Sequence, residues 1–445
     1  MSQNVSLPEH VTLAREVAKS AVVLLKNNGI LPINASKVKK IGVLGMAADA
    51  GPAQGGWLSG DAYSGGGSGH VQGVSSTITT VLDALSAKAE ALGVEIRSAH
   101  TTYSHKNSST LAELKDEVDM VLVVAKTTGH ERSDRPNLHL DDGADTLIAD
   151  VAKTKPAVVL LMLPGAILMP WRDEVAAIAS LFHGGQESGH AFASILFGDS
   201  NPVGKLPIMM PKSEADTIQP SSDSDVPYSE KLKTSYRSES FHAAYPFGFG
   251  LSYTTFLVQR LDTTIEHQAW LMQLQRTPSP DPPGRPADTT VFPLAHVEIL
   301  VENIGKHAGA EVVQTYLAFP NVDPNASSNT PALQLRGFRK TQQLLPGQQE
   351  ILQFNFSPRD FALYLPTEGW RVQDKVILRV GTSSEDLQDE VSLSPLGVEQ
   401  KLVLPTTTTP QSDKLRTTRS PAQVLRTTES PAHVQNTTES PAHMQ

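Results

Sequence analysis

Apolar positions in the first half of the chain fall into short continuous runs separated by longer amphipathic stretches. The runs cover residues 41–46, 120–125, 158–163 and 178–182, and the segments 77–92, 144–155 and 188–196 between them carry helical spacing. Successive strand side chains point to opposite faces, so a strand that is apolar throughout must be covered on both. Such runs joined by helices predict a mainly parallel sheet between helix layers, an α/β sandwich over residues 40–212. Ahead of it, Ala14, Val17, Ala18 and Ala21 form one stripe that predicts a short helix over 15–26, ended by Asn28-Gly29. Residues 1–39 then read as a connecting segment.

The pattern changes further on. Residues 213–256 are rich in Pro, Ser, Asp and Tyr and predict an irregular surface connector. Over 257–400, β-branched runs at 297–303, 311–318, 349–356 and 375–380, with turns at Gly305, Pro346-Gly347 and Gly381, predict an antiparallel β-sandwich. An insertion falls near 265–290, and its stretch 278–286 is too proline-rich for a core element and is expected to be exposed. The tail, 401–445, ends in a ten-residue repeat (416–425, 426–435, 436–445) of Thr, Ser and Pro with no apolar face. Ordering it would cost entropy that nothing offsets, so disorder is expected. An O-glycosylated stalk and a plain solvated tail fit equally well.

Length and charge narrow the function classes. At roughly 150 residues per domain, 445 residues suggest about three domains. Lys plus Arg is 37 against 47 Asp plus Glu, a net charge of -10, the opposite of what phosphate neutralisation needs, so no nucleic acid is expected as a partner. No apolar run approaches the roughly 18 residues of a bilayer crossing, so no membrane span is expected. With no cysteine, thiolate chemistry and Cys-based metal sites are excluded. Residues 1–10 carry no signal-peptide pattern. Sequons at Asn4, Asn34, Asn107, Asn325, Asn355 and Asn436 lean toward secretion, although Asn355 falls inside a predicted strand.

Three features carry candidate chemistry. A glycine-rich stretch over 55–69 follows the first predicted strand, where doubly wound sheets bind ligands. It lacks G-x-G-x-x-G and any following Gly-Lys-Ser/Thr, which argues against nucleotide binding. A loop that moves, or a backbone that passes close to a ligand, remains. The run Gly129-His130-Glu131-Arg132-Ser133-Asp134-Arg135 follows the strand ending at 125. A carboxylate so placed suits a general acid, and a solvated loop with local ion pairs is the alternative. Trp57, an aromatic in the glycine-rich loop, suits either a sugar face or ordinary packing. His70, His130, His139 and His183 show no metal-ligand spacing, so no metal and no cofactor are expected.

Several longer strings resemble the C-terminal half of glycoside hydrolase family three, the β-glucosidase and β-xylosidase type. They begin at Ala14-Arg15 and Val23-Leu24-Leu25-Lys26-Asn27 and continue through His183-Gly184-Gly185-Gln186 and Phe197-Gly198-Asp199-Ser200-Asn201-Pro202-Val203-Gly204-Lys205-Leu206-Pro207. Tyr228-Ser229-Glu230, Tyr236-Arg237 and the highly specific Tyr245-Pro246-Phe247-Gly248-Phe249-Gly250-Leu251-Ser252-Tyr253-Thr254 follow. The second half is similar to the family's fibronectin type III-like domain through Asn303-Ile304-Gly305, Gly309-Ala310-Glu311-Val312-Val313-Gln314, Leu335-Arg336-Gly337-Phe338 and Val380-Gly381-Thr382-Ser383-Ser384.

The resemblance implies an α/β sandwich with flavodoxin-like layering, then an all-β fibronectin type III-like sandwich. It implies a retaining hydrolase of oligosaccharides or β-glucosides, with two carboxylates about 5–5.5 Å apart. The family's E-x-x-D-R pattern falls on Glu131, Asp134 and Arg135, making Glu131 the acid/base and the other two substrate-binding residues. Such an acid must stay protonated near working pH, which burial against a sugar and a second carboxylate would favour. Trp57 matches the loop that places an indole beside the leaving-group sugar in some members, although the second Trp of that pattern is absent and only Tyr63 is close. The family's nucleophilic Asp lies on an N-terminal (β/α)₈ barrel in a Ser-Asp-Trp-like string that this sequence lacks. Neither Ser133-Asp134-Arg135 nor Ser222-Asp223-Ser224 replaces it. The expectation is a truncated form or half of a split enzyme, with 1–39 connecting to a barrel in cis or in trans, and poor or no hydrolysis by the chain alone. A secreted or vacuolar setting is favoured for a full-length form. A noncatalytic carbohydrate-binding or interaction protein derived from such an enzyme is the alternative.

Overall fold

The computed structural model describes residues 7–52, 60–71, 77–99, 116–131, 134–218, 227–283, 292–320, 330–366 and 368–400. Trp57 and the repeat tail lie outside them. The first half builds a six-stranded sheet from β1 (Val23–Asn27), β2 (Lys40–Leu44), β3 (Glu95–Ala99), β4 (Met120–Lys126), β5 (Ala157–Leu163) and β6 (Ala177–Phe182). The order is β1-β6-β5-β4-β2-β3, parallel throughout except for β1 against β6. Every residue of β5 and all but the last of β4 are buried, as continuous apolar runs require. Met120, Leu122 and Val124 join Leu24 and Leu160 beneath the helices Val81–Ala91 and Ser188–Leu196. Val121, Val123 and Ala125 face the other way, toward Leu147, Ile148 and Val151 of the helix Ala144–Ala152 and toward Trp171.

Two expectations for this half are corrected. The N-terminal helix runs Pro8–Ala21, and residues 23–27, expected as its last turn in a mere connecting segment, form the edge strand β1. Val23, Leu24 and Leu25 are fully buried and divide between the two cores, which a one-sided amphipathic helix could not achieve. Strand β3 went unpredicted because Glu95-Ile96-Arg97 is an edge segment with exposed charges and no apolar run.

A short antiparallel pair, β7 (Met210–Pro211) and β8 (Ala243–Tyr245), lies between the halves. The rest is antiparallel. One sheet pairs β9 (Phe256–Ile265), β10 (Ala295–Asn303) and β13 (Gln349–Phe356) in the order β13-β10-β9. The facing sheet runs β12-β11-β16-β17-β18, from β11 (Val312–Ala318), β12 (Gln334–Lys340), β16 (Val376–Gly381), β17 (Leu387–Ser394) and β18 (Gly397–Gln400). A hairpin of β14 (Ala362–Leu365) and β15 (Gly369–Val372) stands at one end. In β10 buried and half-buried residues alternate without exception, the signature of a strand with one face in the core.

The insertion near 265–290 begins with a structural element ahead of its proline-rich part. The helix His267–Leu274 buries Trp270 completely, with its ring 4.6 Å from that of Phe361 and Nε1 donating to the Gln373 carbonyl at 2.9 Å. A buried indole needs that acceptor, and the core needs the plug.

The junction of the two halves is polar and closely fitted. Lys205 Nζ meets Glu311 Oε1 at 2.7 Å, with the side chains 12% and 10% exposed. Asn201 accepts from Ser252 Oγ and Tyr253 N and donates to the Ala308 carbonyl. Gln314 donates to the carbonyls of Gly248 and Thr382 while accepting from Tyr316 Oη. Gly248 has φ +78°, and a Cβ there would stand 2.1 Å from Gln314 Oε1, so only glycine fits.

Candidate active site

The chain passes from β2 to β3 on one side, then back across to β4 on the other. Strand order reverses between β2 and β4, and the crevice past their carboxyl ends is where a doubly wound sheet receives ligands. The two loops that leave these strands are the glycine-rich loop after β2 and the loop after β4 that carries Glu131. They meet backbone to backbone. Gly66 N donates to the Gly129 carbonyl at 2.9 Å and Glu131 N to the Gly66 carbonyl at 3.0 Å.

Glycine is required at two of these contacts. A Cβ on Gly60 would sit 2.5 Å from the Gly129 carbonyl oxygen. Gly67 has φ +103°, and a Cβ there would come within 2.3 Å of Glu131 Cβ and 2.5 Å of its Oε2. The backbone that must pass close to something passes close to Glu131 itself. This allows Ser68 to grip the carboxylate, with its N–H donating to Oε2 at 2.6 Å and its hydroxyl at 2.5 Å.

Those two bonds, the hydroxyl's first, hold the Glu131 carboxyl below the usual carboxylate range, because donors aimed at a carboxylate favour its charged form. Glu131 is exposed in this chain, without the sugar and second carboxylate expected to favour its protonated form, and the pull of Ser68 runs toward the charged one. Ser68 is the contact that sequence reasoning missed. Its signal was a hydroxyl inside an otherwise all-glycine run, Gly65-Gly66-Gly67-Ser68-Gly69.

Beneath the loop pair, Asp61 is buried and accepts at Oδ1 from Tyr63 N and Ser64 N, both at 2.8 Å, which closes the turn. Tyr63 is also buried, its hydroxyl donating to the Ala50 carbonyl at 2.6 Å, so it packs rather than offering a sugar platform. Burial holds the His183 imidazole below its ordinary range, with Asp61 opposing. Its residue adopts φ +43° at the end of β6, and Gly185 N then donates to the Tyr63 carbonyl.

Asp134 is exposed on the same loop as Glu131. Arg135 reaches the Ala166 carbonyl after β5 through Nη2 at 2.6 Å, while Nη1 is buried without a partner. Burial lowers its affinity for the proton against the pull of Asp141. The structure thus brings Glu131 together with Ser68 and the glycine backbone, and ties Arg135 to the neighbouring loop. Among the described residues, no group of three or more His, Asp or Glu side chains is arranged to hold a metal ion, and no helix is long and apolar enough to cross a membrane.

Comparison with known proteins bears on this architecture. The profile of the glycosyl hydrolase family 3 C-terminal domain matches residues 22–253. The chain belongs to glycosyl hydrolase family 3. Residues 311–384 match the fibronectin type III-like domain that forms the second half. Among family relatives, the "Probable beta-glucosidase L" of Emericella nidulans is 34% identical over 87% of this chain and 53% of its own length. The thermostable β-glucosidase B of Acetivibrio thermocellus is 29% identical over 85% of this chain and 47% of its own. The crystal structure of the β-D-glucoside glucohydrolase of Trichoderma reesei superposes with a TM-score of 0.74 at 28% identity, covering 88% of this chain and 56% of that one. The chain spans about half the length of the curated family members it matches.

Proposed function

We propose that this chain carries the acid/base half of a retaining β-glucosidase site acting on terminal β-linked glucose in oligosaccharides and glycosides. The observation that carries the reading is the placement of Glu131 on the loop after β4, at the reversal of strand order, fixed by a second loop whose glycines fit around it. Glu131 protonates the leaving-group oxygen and then, as base, activates the water that releases the glucosyl group. The nucleophile is an Asp from a barrel domain, in cis or in trans, about 5–5.5 Å from Glu131. A sugar that shields Glu131 and an anionic nucleophile at that spacing both favour the protonated form, against the pull of Ser68. Asp134 and Arg135 flank the sugar, and Trp57 is assigned to the leaving-group sugar by its match to the family's indole-bearing loop in sequence. By itself the chain hydrolyses glycosides poorly or not at all.

The test joins the chain to the barrel domain of a family member and compares Glu131→Gln on two substrates. Turnover of a natural glycoside, whose leaving group needs a proton, should fall far more than that of an aryl glycoside with an activated leaving group. Equal losses on both would remove Glu131 from the acid role.

A further inference from the structure

The end of the β-sandwich holds a second concave site, built by the helix His267–Leu274, the chain after it and the hairpin of β14 and β15. A cavity of about 230 Å³ lies between residues 273–283 and β15, with Trp370 on one side and Gln273, Arg276, Asp281 and Arg371 around it. Its walls are fixed from several directions. Trp370 N donates to the Ser279 carbonyl at 2.7 Å, and a Cβ on Gly369 (φ +86°) would lie 2.5 Å from that same oxygen. The Trp370 ring meets Tyr364 edge-on, with centroids 5.7 Å apart. The helix is pinned from below by the buried Trp270.

The charges around the cavity balance. Arg276 stands against Asp281 on the lining, and Arg371 is paired outside it with Glu368, which accepts from its Nη1 at 2.5 Å. An anion therefore gains no net attraction, while guanidinium, carboxylate and amide groups together offer both donors and acceptors to hydroxyls. The indole adds an apolar wall against which a C–H face can stack. The volume is below the roughly 300–1,000 Å³ of sites for drug-sized ligands, which suits one ring.

We propose that this cavity is a binding subsite for a single neutral pyranose, the end sugar of a glycan, separate from the loops that carry Glu131. It holds a saccharide without acting on it.

The experiment titrates the full chain with methyl β-D-glucopyranoside, with cellobiose and, as the anionic arm, with glucuronate, read by saturation-transfer NMR. The expected result is saturable binding of the neutral sugars with a dissociation constant on the order of millimolar. Trp370→Ala and Arg276→Ala should each weaken it about tenfold or more, and Glu131→Gln should leave it intact. Arg276 is exposed, so its variant tests the site without disturbing the core. Retained binding in Arg276→Ala overturns the proposal whatever Trp370→Ala does. So does an absence of saturable binding, a preference for glucuronate, or loss of binding in Glu131→Gln.

Discussion

Removing either partner of the Lys205–Glu311 pair should uncouple the two halves of the molecule. At 2.7 Å and an effective dielectric constant of about 20, the attraction is about 6 kcal/mol, and desolvation of the two ions offsets most of it. The net worth of the pair is therefore near zero, while a single removal strands a buried charge at a cost of about 3–5 kcal/mol. Lys205 would retain only the Gly250 carbonyl, and Glu311 only the Val312 N–H at the same Oε1. Spread over the roughly 340 described residues, a loss of that size lowers the melting temperature by about 4–7 °C. Because the loss falls at the junction, calorimetry should also resolve the unfolding of Lys205→Met or Glu311→Gln into two transitions. The double variant Lys205→Met/Glu311→Leu should return close to the parent. If each single variant costs less than about 1 kcal/mol, as an exposed pair would, or if the double costs the sum of the singles, the reasoning fails.

Ser68→Ala removes the strongest influence on Glu131, so the carboxyl should titrate at higher pH; carboxyl ¹³C shifts across a pH series would show this, and an unmoved midpoint would refute the grip. Trp270→Ala should destabilise the chain by about 3–5 kcal/mol, through the cavity it leaves in the β-sandwich core; a loss under about 1 kcal/mol in urea would place the helix His267–Leu274 outside the core. The Asp216 carboxyl, held at about 2 by the Ser213 hydroxyl and then by His242 N–H, ionises more readily than in the unfolded chain. Its stabilisation is complete above the ordinary value near 3.9 and fades as pH falls toward about 2. Asp216→Asn should therefore flatten the melting-temperature profile in that window and leave its neutral-pH slope unchanged.

The parallel sheet was legible because its central strands, β4 and β5, are buried on both faces and so appear as unbroken apolar runs. Edge strands escape that signal. β3 is half solvated, and β1 follows the N-terminal helix without a break in apolarity, so its start reads as more helix. The helix at 267–274 was hidden for a different reason. A single Trp buries enough surface to seat it, and one residue sets no period. At the site, the position and type of Glu131 were legible, but its ionisation was not. That depends on Ser68, more than sixty residues earlier, and on the backbone path that Gly67 permits.

The longest strings that carry the family resemblance lie away from Glu131. The run from Tyr245 to Thr254 and the string around Asn201 and Lys205 are the longest of those that carry the resemblance, and several of their residues have a mechanical task. Gly248 makes room for Gln314, Phe247 stacks on Tyr236 at 4.4 Å and offers its carbonyl to Ser384 N, and Asn201 reaches across to Ala308. These contacts span elements distant in sequence, so several must be kept together for any to work. That explains why the strings are long and particular. Proton transfer needs a carboxyl at the right point on a loop, and it leaves a short imprint, the string Glu131-Arg132-Ser133-Asp134-Arg135. The longest of these strings thus describe the joint between the two halves, and catalysis must be tested separately, at Glu131 and Ser68.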